Sequence, residues 1–192
     1  MTEDEKGFSY QWENGEVMKR LNVGCGTDVR EGWVNVDACF LKGVDQVVNL
    51  DHYPWPFNTE EFDSILCKSV IEHLEDFPRA MKELHRITRK GGTIEITVPH
   101  YTSTDAYGDP THQRIFSSLT FLFFKKKHDR EYYFDFLFDD VKVKIKFLKK
   151  PVFFYNPLLE LLVNINDNTR LYYETSPLSV FPAQSLLIRI RK

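Results

Sequence analysis

Cysteine is scarce in this chain, with three residues in 192: Cys25, Cys39 and Cys67. Three scattered thiols cannot build a disulfide framework, and no Cys-x-x-Cys pair gives zinc-type spacing. A reducing, cytoplasmic setting is therefore expected. Long apolar runs are missing too: no stretch approaches the roughly 20 residues of a membrane-spanning helix. The first residues, Thr2-Glu3-Asp4-Glu5-Lys6, are acidic and polar where a signal peptide would be basic and then apolar, so neither a membrane span nor a signal peptide is expected. No charge sign dominates, since 25 Lys and Arg face 28 Asp and Glu for a formal charge of -3 and a pI near 6.1. That balance gives no general pull toward nucleic acid or anionic membrane. The basic runs 125–127 and 142–150 read as solvated faces. Repeats, linkers and low-complexity segments are absent. What remains, 192 residues with 42% hydrophobic content, is enough for a single domain, 1–192, with a sizeable core.

The stretch that organises the chain is Arg20-Leu21-Asn22-Val23-Gly24-Cys25-Gly26-Thr27, followed by Gly32-Trp33-Val34-Asn35-Val36-Asp37. It reads as a strand, a ligand loop and a second strand ending on an acid. Glycines at 24 and 26 let the backbone turn sharply and let a ligand approach main-chain N–H groups with no Cβ in the way. Asp37 offers two carboxylate oxygens where the vicinal hydroxyls of a ribose would lie. A nicotinamide-binding turn would place a third glycine at Val29. It would also set its acid about 20 residues on, where this chain has Asp37 eleven positions after Gly26.

In that order the residues resemble motif I and the acidic loop of class I S-adenosylmethionine-dependent methyltransferases, in the variety that reads Leu-Asn-x-Gly-Cys-Gly and then Gly-Trp-x-Asn-x-Asp. The resemblance implies an α/β, Rossmann-like methyltransferase sandwich with a mostly parallel seven-stranded sheet and an antiparallel C-terminal strand. It also implies S-adenosylmethionine as cofactor, held by Val23, Gly24, Cys25 and Gly26 at the turn and by Asp37 at the ribose. Leu50 and Asp51 would lie at the adenine, and Lys68 at the end of the fourth strand. Asp28 stands where a further glycine is common, and the helix between the first two strands must be very short. In the family, an aromatic-rich loop such as Tyr53-Pro54-Trp55-Pro56-Phe57 covers the adenine ring. Residues 1–18, with Phe8, Tyr10 and Trp12, would form a flap over the cofactor.

The residues themselves give the remaining elements. Residues 44–51 are a β-branched strand ending in Asp51, and 61–68 are the next. Ser69 and Glu72 are spaced as a capping box for a helical turn through Val70-Ile71-Glu72-His73-Leu74. A helix follows with Asp76 as cap, Pro78 in its first turn and a stripe of Phe77, Met81, Leu84 and Ile87. Gly91-Gly92 ends it, and residues 93–98 form a strand. Three βα units in order argue for a parallel sheet. Ser117 can cap a helix within 115–124. Residues 125–140 show no single period. Residues 141–147 alternate apolar with lysine, as an antiparallel strand with one wet face does. A short helix over 157–166 and a strand over 185–191 complete the chain.

Residues 100–114 carry two histidines, two aspartates, two tyrosines and an arginine just beyond a strand end, within a substrate-side insertion spanning 99–140. Loops placed there line the ligand crevice of open α/β sheets. Methyl transfer needs the nucleophile held in line with the methyl and a base for its proton. His112 and His100 are the candidate bases, with Arg114 and Tyr101 as candidate substrate contacts. Loop spacing of this kind is no metal signature, so no metal is expected, although His100, His112 and Asp105 or Asp109 could be imagined as ligands. The function expected is transfer of a methyl group to an O or N of a small molecule, with sugars suggested by relatives of this variety. The alternative is a non-catalytic methyltransferase-like module that binds a protein. Nucleic acid is not an expected partner, since neither a basic groove nor a base-stacking pocket is visible. The sequence leaves the oligomeric state open.

Overall fold

The computed structural model describes residues 11–13, 16–127, 129, 131–150 and 153–192. A two-stranded hairpin, β1 (Gln11–Glu13) and β2 (Glu16–Met18), precedes the main sheet. Most of the expected flap, residues 1–10 with Phe8 and Tyr10, lies outside the described residues.

The sheet has seven strands: β3 (Arg20–Val23), β4 (Val34–Asp37), β5 (Gln46–Val47), β6 (Phe62–Lys68), β7 (Thr88–Pro99), β8 (Asp140–Lys146) and β9 (Ser185–Arg191). Their order across the sheet is β5-β4-β3-β6-β7-β9-β8. The first five are parallel, and β9 runs antiparallel between β7 and β8, with Ile96 opposite Ile188 and Val143 opposite Ile188. This is the sheet expected from the resemblance. The chain enters at β3, builds outward through β4 and β5, then returns to lay β6 on the other side of β3. Strand order reverses there, so the loops after β3 and β6 diverge and leave a crevice at the C-terminal ends of the strands.

Helix α1 (Phe77–Ile87) forms where its stripe predicts. Asp76 caps it by accepting the Arg79 N–H at 3.0 Å, and Phe77, Ala80, Met81, Leu84 and Ile87 are buried. Each such side chain contributes about 1.5–3 kcal/mol by leaving water. Helices α2 (Thr104–Gly108), α3 (Ser118–Leu122), α4 (Asn156–Val163) and α5 (Asp167–Thr175) follow. Ser117 precedes α3 as its cap, its own N–H donating to Thr120 Oγ1 at 3.2 Å. Residues 134–138, which show no period, fold over α1 as a ring cluster in which Phe124 stacks on Phe134 at 4.4 Å and on Phe136 at 5.6 Å.

Four expectations are corrected. The crossovers from β3 to β4, β4 to β5 and β5 to β6 hold no helix, so a single regular helix, α1, covers the parallel half between strands. Ten residues between Val23 and Val34 are too few for a helix and its two turns; Arg20 and Arg30 instead lie over the Trp33 ring, at 5.8 and 5.7 Å. Strand β5 stops at Val47, which leaves Asp51 in the turn beyond it. The turn over 70–74, in which Val70 O accepts the His73 N–H at 3.0 Å, is not capped by Ser69 and Glu72: Ser69 has φ +53°, its N–H donates to Thr97 O, and Glu72 is drawn inside. The aromatic loop is pinned inward. Trp55 is buried in the core, its indole N–H donating to Leu50 O at 2.9 Å and its backbone N–H to Glu83 Oε2 at 2.7 Å, while Arg86 donates to the carbonyls of Trp55 and Phe57.

Candidate functional site

The turn after β3 has the backbone that its two glycines permit, with φ +60° at Gly24 and +50° at Gly26. A Cβ on Gly24 would meet Val70 Cγ2 at 2.3 Å, whereas one on Gly26 would have nothing within 4 Å. Gly24 is thus required for close approach of the loop after β6, and Gly26 leaves the space where its side chain would stand open. Asp37, half-buried at the end of β4, reaches back to this turn: Oδ2 accepts the Gly26 N–H at 2.7 Å and Oδ1 the Cys39 N–H at 2.9 Å. Each oxygen keeps a second lone pair for a hydroxyl. The Cys25 N–H donates to Val36 O at 2.9 Å, and the side chains of Val23, Cys25 and Leu50 are buried, so these residues offer backbone to a ligand. Burial, with Asp37 nearby, pushes the Cys25 thiol up, so it stays neutral. Asp51 Oδ1 accepts the Glu75 N–H at 3.0 Å, and among the described residues no donor meets Oδ2. Lys68 is exposed at the end of β6, 3.5 Å from Asp28 Oδ2, and Arg30 lies 3.3 Å from the same oxygen. The turn, Asp37 and Asp51 therefore form a cradle with open carboxylate faces, which fits a nucleoside with an amino-acid tail.

Beside the cradle, a cavity of about 780 Å³ opens between the ends of β6 and β7 and the segment 105–112, lined among others by Lys68, Glu72, His73, Pro99, Asp109 and His112. Gln113 N–H donates to Glu72 O at 2.8 Å, which fastens this segment to the loop after β6. His73 and His112 meet edge to face with ring centroids 4.7 Å apart. His73 Nδ1 is 2.8 Å from Thr111 Oγ1, whose hydroxyl donates to Asp109 Oδ1 at 2.6 Å. His112 Nδ1 is 3.4 Å from Ala106 O. Glu72 is 1% exposed, and neither of its carboxylate oxygens has a hydrogen-bond partner among the described residues. Burial pushes its carboxyl up to about 7, and the nearby backbone N–H groups and His112 offset only part of that. His73 is held below the usual imidazole range, first by burial and then by His112.

The other sequence candidates stand elsewhere. His100 is fully buried, with Nε2 3.0 Å from Glu174 Oε1, Nδ1 2.8 Å from Thr102 Oγ1, and Tyr101 and Tyr173 against its ring. Tyr101 donates its hydroxyl to Glu174 O at 2.7 Å. Arg114 donates to Glu75 O at 3.2 Å and lies 5.5 Å above the Phe77 ring. None of these three lines the cavity. Of the four catalytic and substrate-side candidates and Lys68, the structure brings His112 and Lys68 to it, and it adds Glu72 and His73. The capping-box spacing hid Glu72. The signal that could have found it is its place between Ile71 and Leu74, where an apolar run leaves an acid no outward direction.

Residues 16–96 match the family model described as a methyltransferase domain. No curated protein matches the chain. Among solved structures, it is similar to a SAM-dependent methyltransferase from Archaeoglobus fulgidus, with 18% identity, TM-score 0.59, and 91% of this chain and 86% of that one covered. A SAM-dependent methyltransferase from Thermotoga maritima gives 16%, 0.53, 91% and 82%. Phosphoethanolamine N-methyltransferase 2 of Haemonchus contortus, in complex with S-adenosyl-L-methionine, gives 15%, 0.52, 91% and 48%. At these identities the structures speak for the fold, and the family model speaks for residues 16–96. With strand order and glycine turn in agreement, residues 16–96 are similar to the methyltransferase-domain family, and the chain shares the fold of the S-adenosylmethionine-dependent methyltransferases.

Proposed function

We propose that the chain methylates an oxygen or nitrogen of a small molecule that enters the cavity beside His73 and His112. The observation that carries this reading is the adjacency of two features: a glycine turn flanked by the carboxylates of Asp37 and Asp51, and a cavity walled by two histidines and a buried glutamate. S-adenosylmethionine supplies an electrophilic methyl on a sulfonium when it is bound. In this reading Gly24, Cys25 and Gly26 offer backbone to its amino-acid end, Asp37 accepts from the ribose hydroxyls, and Asp51 Oδ2 accepts from the adenine amine.

The walls of the cavity set what the acceptor can be. Glu72, His73 and His112 share the cavity with further polar groups such as Ser69, Thr97 and Gln184, which suits a polar acceptor of modest size. His112 is placed to orient the acceptor or take its proton, and the Asp109–Thr111 pair fixes the neighbouring His73. Proximity and exclusion of water would supply most of the acceleration. His100, closed in by Glu174 and Thr102, organises the base of the loop.

Calorimetric titration with S-adenosylmethionine tests the cradle. The wild-type chain should take up one equivalent, and Asp37→Ala should weaken uptake at least tenfold. Absence of heat in the wild type, or unchanged uptake by the variant, would refute the assignment. Radiolabelled methyl transfer to a panel of hydroxylated and amino small molecules would then identify the acceptor, with His112→Ala expected to lower turnover more than it lowers cofactor affinity.

A further inference from the structure

We propose that Glu72, His73 and His112 bind one divalent transition-metal ion at the wall of the cavity. One carboxylate oxygen and one nitrogen from each ring lie within 4.8 Å of one another. Two independent features make this more than a cluster of polar groups. The first is Glu72: it is 1% exposed and aimed into the cluster, and both of its oxygens lack a hydrogen-bond partner among the described residues. A buried carboxylate with nothing to balance it is among the most expensive features a fold can retain, and a cation is the partner that removes the expense. The second is the state of the two rings. His73 Nδ1 faces Thr111 Oγ1, whose own proton goes to Asp109, so the hydroxyl oxygen is left to accept the Nδ1–H. His112 Nδ1 faces the Ala106 carbonyl, which can only accept. Both rings are thereby held in the tautomer that carries its proton on Nδ1 and a bare lone pair on Nε2. Metal-ligating histidines are oriented by an outer hydrogen bond of this kind.

Two imidazoles and a carboxylate select the metal. Nitrogen ligands suit zinc, cobalt, iron and nickel, while magnesium and calcium prefer an all-oxygen set. Ligands bonded to zinc at tetrahedral angles stand about 3.4 Å apart, so the ion would draw the three groups together by about an ångström. The backbone already supports such a contraction, because His73 N–H is bonded to Val70 O and Gln113 N–H to Glu72 O. Three protein ligands leave at least one coordination position for a water or an acceptor atom, as open catalytic sites do. Asp109, whose Oδ2 lies 3.9 Å from His112 Nε2, stands close enough to contribute or to orient.

The test uses the full chain without a histidine tag, stripped with a chelator and titrated with Co²⁺ while visible absorption is followed, then with Zn²⁺ as competitor. One equivalent of Co²⁺ per chain is expected, with a ligand-field spectrum that Zn²⁺ abolishes. Glu72→Gln and His112→Ala should each weaken binding at least tenfold with the melting temperature of the metal-free protein retained. If either fails to fold, the half-buried His73→Ala decides. Cys39→Ser, which removes the exposed thiol, should leave binding unchanged. Absence of stoichiometric uptake, uptake that survives loss of Glu72 or His73, or uptake lost with Cys39 would each overturn the proposal. The titration contains no S-adenosylmethionine and does not rest on the methyl-transfer reading. Asp37→Ala should bind the metal normally, so failure of the cradle and failure of the metal site give different results.

Discussion

Replacing Gly24 by alanine sets two strains on one turn, and the structure allows them to be separated. The first is conformational: a side chain at φ +60° sits in the left-handed region, at about 1–2 kcal/mol. The second is steric. The new Cβ would lie 2.3 Å from Val70 Cγ2 and 2.9 Å from Cγ1, and forcing a methyl into a packed contact costs about 1–3 kcal/mol. Gly24→Ala should therefore lose about 2–5 kcal/mol of unfolding free energy, a large share of the roughly 5–15 kcal/mol of a typical domain. Gly26→Ala at φ +50° with open space around it should lose only the conformational part, about 1–2 kcal/mol. Adding Val70→Ala removes both obstructing methyls, so in the Gly24→Ala background it should do less harm than alone, by about 1–2 kcal/mol in a double-mutant cycle. Urea unfolding followed by tryptophan fluorescence measures all four proteins. If Gly24→Ala and Gly26→Ala were equally stable, or the pair strictly additive, the packing of the turn against the loop after β6 would be refuted. The same proteins separate fold from binding, since Gly26→Ala should stay folded and still lose cofactor affinity.

Other outcomes follow from the clasps described above. Glu83→Ala removes the acceptor of the Trp55 N–H and the partner of Arg86, at 2.7 Å each, and should lower stability by about 2–3 kcal/mol in urea unfolding, with Glu83→Gln closer to wild type. Glu174 sets an acid-side dependence. Burial alone would raise its carboxyl, but hydrogen bonds from His100 and from the N–H and hydroxyl of Ser118 prevail and hold it below the ordinary glutamate range. A group depressed in the folded state contributes stability above its unfolded pKa and loses it as pH falls through the folded one. Melting temperature should thus decline as the pH drops below the mid-fours, and Glu174→Gln, less stable at neutral pH, should decline less over that interval. Parallel curves for the two proteins would show that Glu174 is not the group responsible.

Much of this molecule is legible in its sequence because several segments obey one rule at a time. Residues 141–147 alternate strictly, and Val141, Val143 and Ile145 are buried where the alternation puts them. The stripe of α1 and its Asp76 cap are local facts that packing has no reason to override. The glycine turn is legible for the same cause, since positive φ at 24 and 26 is written in residue type. What escaped reading depends on distant partners. Ser69 and Glu72 fit a local capping pattern, yet the Ser69 N–H is claimed by Thr97 across the sheet, and Glu72 turns in toward residues some forty positions on. His100 carries the chemistry of a base but is met by Glu174, 74 positions away, from a helix the sequence reading did not contain. Trp55 looks like a lid in a proline-rich loop until Glu83 and Leu50 claim its two N–H groups.

The bare connection between β3 and β4 has an electrostatic price. A helix starting at that turn would aim about half a unit of positive charge at an anion resting on it, and in this chain no helix starts there. A carboxylate arriving over the turn meets Lys68, exposed at the end of β6, and Arg30, packed on the Trp33 ring, which already share the counter-charge of Asp28. Asp28 and the Asp37 carboxylate at the same turn offset both cations, and the exposed Lys68 is open to dissolved ions, so recognition of an anionic tail should weaken as ionic strength rises.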